Sequence, residues 1–104
     1  MADFKRVAKA SDIPPGRVRV VAVAGKRLAV CNVDGTFYAV DDVCTHDGGS
    51  LGEGALRDGR IECPRHGALF DVRSGGALTL PAVVGIRTYP VEVVGDDVRV
   101  SLDG

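Results

Sequence analysis

Four side chains able to bind a metal stand in two close pairs near the middle of the 104-residue chain. The first pair is Cys44 and His46, in the run C-T-H. The second pair is Cys63 and His66, in the run C-P-R-H. Sixteen residues separate the pairs, enough for two loops to fold toward each other. Two thiolates and two imidazoles form a mixed ligand set that suits iron–sulfur chemistry or zinc, so the sequence predicts a metal centre held by two loops.

Size and composition indicate one small globular domain. The net charge is −1, aromatic residues make up 5% of the chain, and Trp is absent. A near-neutral charge argues against a nucleic-acid partner, and no apolar run reaches the length of a membrane span. The first residues, MADFKRVAKASDIPPG, lack the apolar core of a secretory signal. We therefore expect a cytoplasmic protein that binds neither nucleic acid nor membrane.

The third cysteine, Cys31, lies outside both pairs, in the apolar run RLAVCNV. An odd number of cysteines does not suit a disulfide framework, and disulfides are rare in the cytosol. A cysteine in an apolar run is usually a small core residue. We predict that Cys31 is buried and binds no metal.

Short Val-rich runs alternate with turn signals along most of the chain, which is typical of an all-β sandwich or barrel. The clearest runs cover residues 17–24, 27–33 and 36–41, and a further short strand is expected near residues 4–8. The predicted turns are Gly25-Lys26, Asp34-Gly35, Asp58-Gly59 and Gly95-Asp96-Asp97. Pro90 lies inside the run RTYPVEVV, and because Pro cannot donate to a ladder it predicts an edge strand or a bulge.

The middle of the chain, residues 42–81, differs in amino-acid composition from both ends. It holds both ligand pairs and eight of the fourteen glycines, with few β-branched residues. We interpret it as a small metal-binding subdomain inserted into a β base, which is built from residues 1–41 and 82–104.

The combined pattern, C-x-H followed by C-x-x-H, resembles that of the Rieske iron–sulfur proteins. The residues around it match as well: Leu51, Gly54, Pro64, Gly67, Phe70-Asp71, Ser74-Gly75 and Pro81. The chain is most similar to the small Rieske ferredoxins that serve bacterial ring-hydroxylating dioxygenases. The resemblance implies an antiparallel Rieske-type sandwich or barrel base with an inserted cluster-binding subdomain.

The resemblance also implies one [2Fe–2S] cluster per chain, with Cys44 and Cys63 on one iron and His46 and His66 on the other. Two ferric ions, two sulfides, two thiolates and two neutral imidazoles sum to zero charge. Adding an electron to a neutral centre costs less than adding it to an anionic one, so histidine ligation raises the potential. The implied function is one-electron transfer from a FAD-dependent NAD(P)H ferredoxin reductase to a terminal ring-hydroxylating oxygenase.

A carrier of this kind performs no substrate chemistry of its own, so we expect no enzymatic activity. The chain holds only two His residues, and both are assigned to the cluster. It is also too short to include the mononuclear iron domain of an oxygenase.

Other residues near the ligand pairs have two interpretations. Gly48, Gly49 and Gly67 could direct backbone N–H groups at cluster sulfurs, or they could simply form turns. Pro81 could belong to a third loop that covers the cluster, as the resemblance implies, or it could end a strand.

Departures from the Rieske proteins of respiratory complexes predict a low potential. Those proteins carry an extra cysteine in each ligand loop, joined as a disulfide, where this chain has Gly49 and Arg65. They also place Ser and Tyr hydroxyls near the cluster, where this chain has Ala68 and Phe70, which cannot donate. Loss of two donors to charged sulfur lowers the potential.

The surroundings of the ligands also predict a docking surface. Arg65, Asp47 and Glu53 are candidates for contact with a partner protein. Asp41 and Asp42 complete an acidic group that could face a basic partner or could be an ordinary solvated surface.

Two alternatives remain open from the sequence. The chain could be the Rieske electron-transfer subunit of another system, such as a nitrite reductase or a monooxygenase. The same four ligands could instead hold Zn²⁺ in an interaction module without a redox role.

Overall fold

The computed structural model describes residues 4–43, 50–64, 67–78 and 85–102, which form strands joined by short turns. The strands are β1 (Phe4–Lys9), β2 (Val18–Val23), β3 (Lys26–Val33), β4 (Thr36–Asp41), β5 (Leu56–Arg57), β6 (Arg60–Glu62), β7 (Leu69–Asp71), β8 (Thr88–Tyr89), β9 (Val91–Val94) and β10 (Asp97–Ser101). The helical structure of these residues consists of two 3₁₀ turns, Ala10–Asp12 and Leu51–Glu53. Neither turn is long and apolar enough to cross a membrane.

The strands pair antiparallel into three sheets. The terminal sheet has the order β1-β10-β9, the central sheet β2-β3-β4-β8, and the small sheet β5-β6-β7. The predicted all-β antiparallel fold is confirmed. The small sheet comes from the middle of the chain, whereas the other two sheets draw on both ends. The subdomain boundaries at 42 and 81 stay a prediction.

Two-residue turns set the register of the hairpins. Asp34-Gly35 and Asp58-Gly59 have positive φ at both residues, as a type I′ turn requires. The prediction of a turn at Gly25-Lys26 is wrong by one residue, because Val23 pairs with Lys26 and the turn is Ala24-Gly25. Ala24 adopts a φ of 49°, a conformation that non-glycine residues seldom take.

Pro90 marks the point where the chain passes from one sheet to another. Before it, Tyr89 pairs with Ala39 in the central sheet. After it, Val91 pairs with Val100 in the terminal sheet. Strands β8 and β9 are both edge strands, so the edge position predicted from Pro90 is confirmed.

Strand β3 is buried on both faces and divides the core into two clusters. The small-sheet cluster consists of Ala29, Cys31, Val33, Val40, Leu51, Ile61, Cys63, Ala68, Phe70, Val72 and Ile86. The terminal-sheet cluster consists of Ile13, Leu28, Val30, Ala39, Tyr89, Val98 and Val100. Odd-numbered residues of β3 enter the first cluster and even-numbered ones the second, because successive side chains of a strand point to opposite faces. The central sheet therefore lies between the other two.

Cys31 is fully buried in the small-sheet cluster, so its predicted core position is confirmed. Burial raises the pKa of its thiol to about 12, because the thiolate would lose its hydration there. The folded protein therefore holds the Cys31 proton more tightly than the unfolded chain does.

This difference in proton affinity predicts how Cys31→Ala changes stability with pH. Below pH 9 the variant should lose about 1–2 kcal/mol of unfolding free energy, a typical cost for a core substitution. As pH rises from 9.0, the ordinary thiol value, toward about 12, the unfolded wild type loses its proton and the folded one keeps it. The wild-type advantage should then shrink by up to about 1.4 kcal/mol per pH unit. Urea denaturation of both proteins across this range measures the effect, and parallel pH profiles would contradict it.

Candidate metal centre

The predicted site residues divide between described and undescribed parts of the chain. Cys63, Gly67 and Glu53 are described. The predictions that fall outside the described residues are Cys44, His46, Asp47, Gly48, Gly49, Arg65, His66 and Pro81. Within the described residues, no three His, Cys, Asp or Glu side chains gather to hold a metal.

Cys63 begins the turn between β6 and β7. Its N–H donates to Ala68 O at 2.8 Å, and the Gly67 N–H donates to Cys63 O at 3.0 Å. Gly67 adopts a φ of +74°, which favours glycine. The turn therefore accounts for Gly67, and a role of its N–H toward cluster sulfurs stays a prediction. The Cys63 side chain is fully buried, so the turn presents its sulfur to the protein side rather than to solvent.

Asp42, directly after β4, accepts hydrogen bonds from the segment that follows the first ligand pair. Its buried carboxylate accepts a hydrogen bond from the Ser50 hydroxyl, whose oxygen lies 2.9 Å from Oδ1 and 2.8 Å from Oδ2. The Gly52 N–H donates to Oδ1 at 2.6 Å, and Arg27 Nη2 lies 3.2 Å from Oδ2. Residues 42 and 50 are thus held together at the two ends of the interval 43–49.

Two backbone segments, one at Gly75 and one at residues 85–86, cross in close contact and hold the ends of the region that contains Pro81. The Ile86 N–H donates to Gly75 O at 2.7 Å. A Cβ built on Gly75 would lie 2.1 Å from Ile86 O, and one on Gly85 would lie 2.6 Å from Gly75 O. Only glycine allows this approach. On the same side of the fold, the Leu78 N–H donates to Leu69 O at 2.8 Å, which joins this segment to β7.

The ends of all three regions pack into the small-sheet cluster. Leu51 follows the first ligand pair, Cys63 begins the second and Ala68 follows it, and Ile86 follows the Pro81 region; all four belong to that cluster. The donor chemistry fits an iron–sulfur centre, because a thiolate ligand on a tight turn inside an apolar shell is what such a cluster uses.

The predicted acidic group is not one surface. Asp42 is buried and fully bonded, so its interpretation as a solvated or docking residue is wrong. Asp41 accepts a hydrogen bond from Tyr89 Oη at 2.5 Å. Burial, together with this bond, raises the pKa of Tyr89 to about 12. Of the described acids in the group, Glu53 alone is exposed.

Sequence reasoning missed the partners of Asp42 and the Gly75–Gly85 crossing. Ser50 and Gly52 lie eight and ten residues beyond Asp42, so no local motif connects them. The one signal in the sequence was that Asp42 stands two positions before Cys44, a predicted ligand. In a sequence, an acidic residue at such a position looks like an ordinary surface residue.

Comparison with known proteins agrees with this geometry. The family model "Rieske [2Fe-2S] domain" matches residues 3–90. The chain is 41% identical to the ferredoxin component of biphenyl 2,3-dioxygenase from Rhodococcus jostii (strain RHA1), over 95% of this chain and 92% of that protein. It is 44% identical to the ferredoxin component of the naphthalene 1,2-dioxygenase system from Pseudomonas aeruginosa, over 88% of each chain.

A solved structure agrees as well. One chain of the complex of reduced oxygenase and oxidized ferredoxin in carbazole 1,9a-dioxygenase superposes with a TM-score of 0.89 and 41% identity, covering 94% of this chain and 92% of that one. Since the family model spans most of the chain and full-length relatives exceed two-fifths identity, this chain belongs to the Rieske [2Fe–2S] family.

Proposed function

We propose that this protein is a one-electron carrier that passes electrons from a FAD-dependent NAD(P)H ferredoxin reductase to a terminal aromatic-ring dioxygenase in the cytoplasm. The observation that carries the proposal is similarity along nearly the whole chain to ferredoxin components of dioxygenase systems. A carrier needs a redox centre and docking surfaces but no substrate pocket. We infer that the protein has no catalytic activity of its own.

Within this proposal, Cys44 and Cys63 bind one iron, and His46 and His66 bind the other. When bound, the [2Fe–2S] cluster supplies a one-electron couple whose oxidised form carries no net charge with neutral imidazoles. The buried Cys63 and the apolar residues around it support the assignment, because exclusion of water from the thiolates keeps the centre intact.

The potential should lie at the low end of the Rieske range. Ala68 and Phe70 are both fully buried in the same cluster as Cys63, and neither side chain can donate a hydrogen bond. Without a hydroxyl donor at these two positions the centre is harder to reduce, so we infer a potential near about −150 mV.

Electron transfer to a partner requires the centre to lie near the surface. We propose that reductase and oxygenase use the same face in turn, formed by the two ligand loops with Arg65, Asp47 and Glu53. The exposed Glu53, at the end of the 3₁₀ turn Leu51–Glu53, supports an acidic rim. The contact should be small and transient, because a carrier has to leave quickly.

A role in a nitrite reductase or monooxygenase system is the second candidate. It would use the same centre and the same one-electron chemistry, and only the partner would differ. The dioxygenase assignment is favoured because the two relatives cited above, at 41% and 44% identity, are ferredoxin components of dioxygenase systems.

The ligand assignment predicts opposite outcomes for two variants. His66→Ala should lose the Rieske electron paramagnetic resonance (EPR) signal of the dithionite-reduced protein, and it should weaken folding because metal binding is coupled to folding. Cys31→Ala should keep both the signal and the iron content. A His66 variant with the native spectrum, or a Cys31 variant without iron, would show that the assignment is wrong.

The proposed cause of the low potential predicts that a new hydroxyl at residue 68 increases the midpoint potential. Ala68→Ser should raise the midpoint potential by on the order of 60 mV, because a donor near sulfur favours the reduced state. Ala39→Ser is the matched control, since Ala39 is equally buried but lies in the terminal-sheet cluster. Protein-film voltammetry measures both. An unchanged or lower potential in Ala68→Ser would mean that residue 68 does not reach the centre.

The docking proposal predicts an effect on rate without an effect on potential. Asp47→Lys combined with Glu53→Lys should slow reduction by the cognate reductase and flatten its salt dependence, because attraction to a basic surface is lost. Glu92→Lys combined with Asp97→Lys, on strands β9 and β10 of the terminal sheet, makes the same change in net charge and is the control. Stopped-flow kinetics across ionic strength measures this, and equal rates for the two variants would place the docking surface elsewhere.

A further inference from the structure

Asp42 has contacts that its neighbour Asp41 lacks. Its side chain has no exposed surface, although an ionised carboxylate is costly to bury unless charges and hydrogen bonds compensate it. Three donors compensate it: the Ser50 hydroxyl, the Gly52 N–H and the Arg27 guanidinium. Two of the three come from the chain that follows the first ligand pair.

Both ends of this connection are fixed to the central sheet. The Asp42 N–H donates to Arg27 O at 3.1 Å, which holds Asp42 against β3. On the other side, Leu51 is fully buried. A Cβ on Gly52 would lie 2.0 Å from Val20 Cγ2, so the Gly52 backbone lies directly against β2. The carboxylate therefore joins the end of β4 to the segment that returns along β2.

Asp41 provides the contrast. It is adjacent in sequence, and its carboxylate accepts from Tyr89 Oη, a residue of β8. Its contact lies within the central sheet and reaches no residue between 50 and 53. The two acids therefore carry the same charge at nearly the same place, but only Asp42 connects the two ends of the interval 43–49.

We propose that Asp42 is a positioning residue for the first ligand pair. By fixing where the chain leaves β4 and where it returns at Ser50, its carboxylate determines the geometry that Cys44 and His46 bring to the metal. In this role Asp42 is not itself a ligand of the metal. This inference rests on the ligand assignment in the proposed function.

The test compares Asp42→Ala, Asp42→Asn, Ser50→Ala and Asp41→Asn in the cluster-loaded protein. The rate of iron loss to a chelator and the EPR line width of the reduced protein are measured after circular dichroism has verified folding. Asp42→Ala should lose iron ~10-fold faster and give a broadened signal, because misplaced ligands bind the metal less well. Asp42→Asn should give an iron-loss rate and a line width between those of the wild type and Asp42→Ala, because its amide oxygen still accepts a hydrogen bond from the Gly52 N–H.

Asp41→Asn controls for charge, because it removes a neighbouring carboxylate without touching Ser50 or Gly52. It should keep the wild-type rate and line width, so a change seen in Asp42→Asn but not in Asp41→Asn is not due to loss of charge alone. If Asp42→Ala does not fold, Ser50→Ala decides the question, because it removes only one donor to the Asp42 carboxylate. Iron loss from Ser50→Ala that is faster than from Asp41→Asn supports the proposal. Equal rates of iron loss overturn it.

The wild-type spectrum separates this inference from the proposed function. A wild type without a Rieske signal would contradict the ligand assignment. A normal wild-type signal, with iron loss and line width unchanged in a folded Asp42→Ala variant, would overturn the positioning role alone.

Discussion

The double burial of strand β3 is the constraint on which the rest of the structure depends. One face packs against the terminal sheet, and the other carries Ala29, Cys31 and Val33 into the cluster that also contains Cys63. A domain of this size has a modest core, and here both of its clusters share strand β3. The residues that anchor the predicted ligand regions are therefore part of the hydrophobic core itself.

This arrangement explains how loops can hold a precise centre. Loops alone are variable and mobile. Here the chain beside the two predicted ligand pairs and beside the Pro81 region is attached in three ways: by a buried carboxylate at Asp42, a tight turn at Cys63 and a glycine crossing at Gly75. A redox centre benefits from such rigidity, because preorganised surroundings need little rearrangement when charge changes.

The strands and the core were predictable from sequence because they follow local rules. Alternating apolar residues and Asp-Gly pairs identified the hairpins, and the apolar run around Cys31 identified a buried strand. The turn at Ala24-Gly25 was missed by one residue, because pairing of Val23 with Lys26 overrides the reluctance of Ala to adopt positive φ.

The predicted ligand pairs stand out by residue type and spacing, but the contacts that support the chain around them do not. The partners of Asp42 and the approach of Gly75 to Gly85 depend on contacts between distant segments and on backbone atoms. Such contacts leave almost no trace in residue type. A buried acid and a solvated acid look the same in a sequence, and only the fold distinguishes Asp42 from Asp41.

The central claim is that this domain carries one electron at a cluster whose two irons have different ligands. Mössbauer spectroscopy of protein enriched in the absorbing iron isotope tests it most directly, before and after reduction by one electron. We expect two iron sites of equal area, both ferric when oxidised, of which only the histidine-ligated site becomes ferrous on reduction. A single kind of iron, or equal change at both sites, would contradict it.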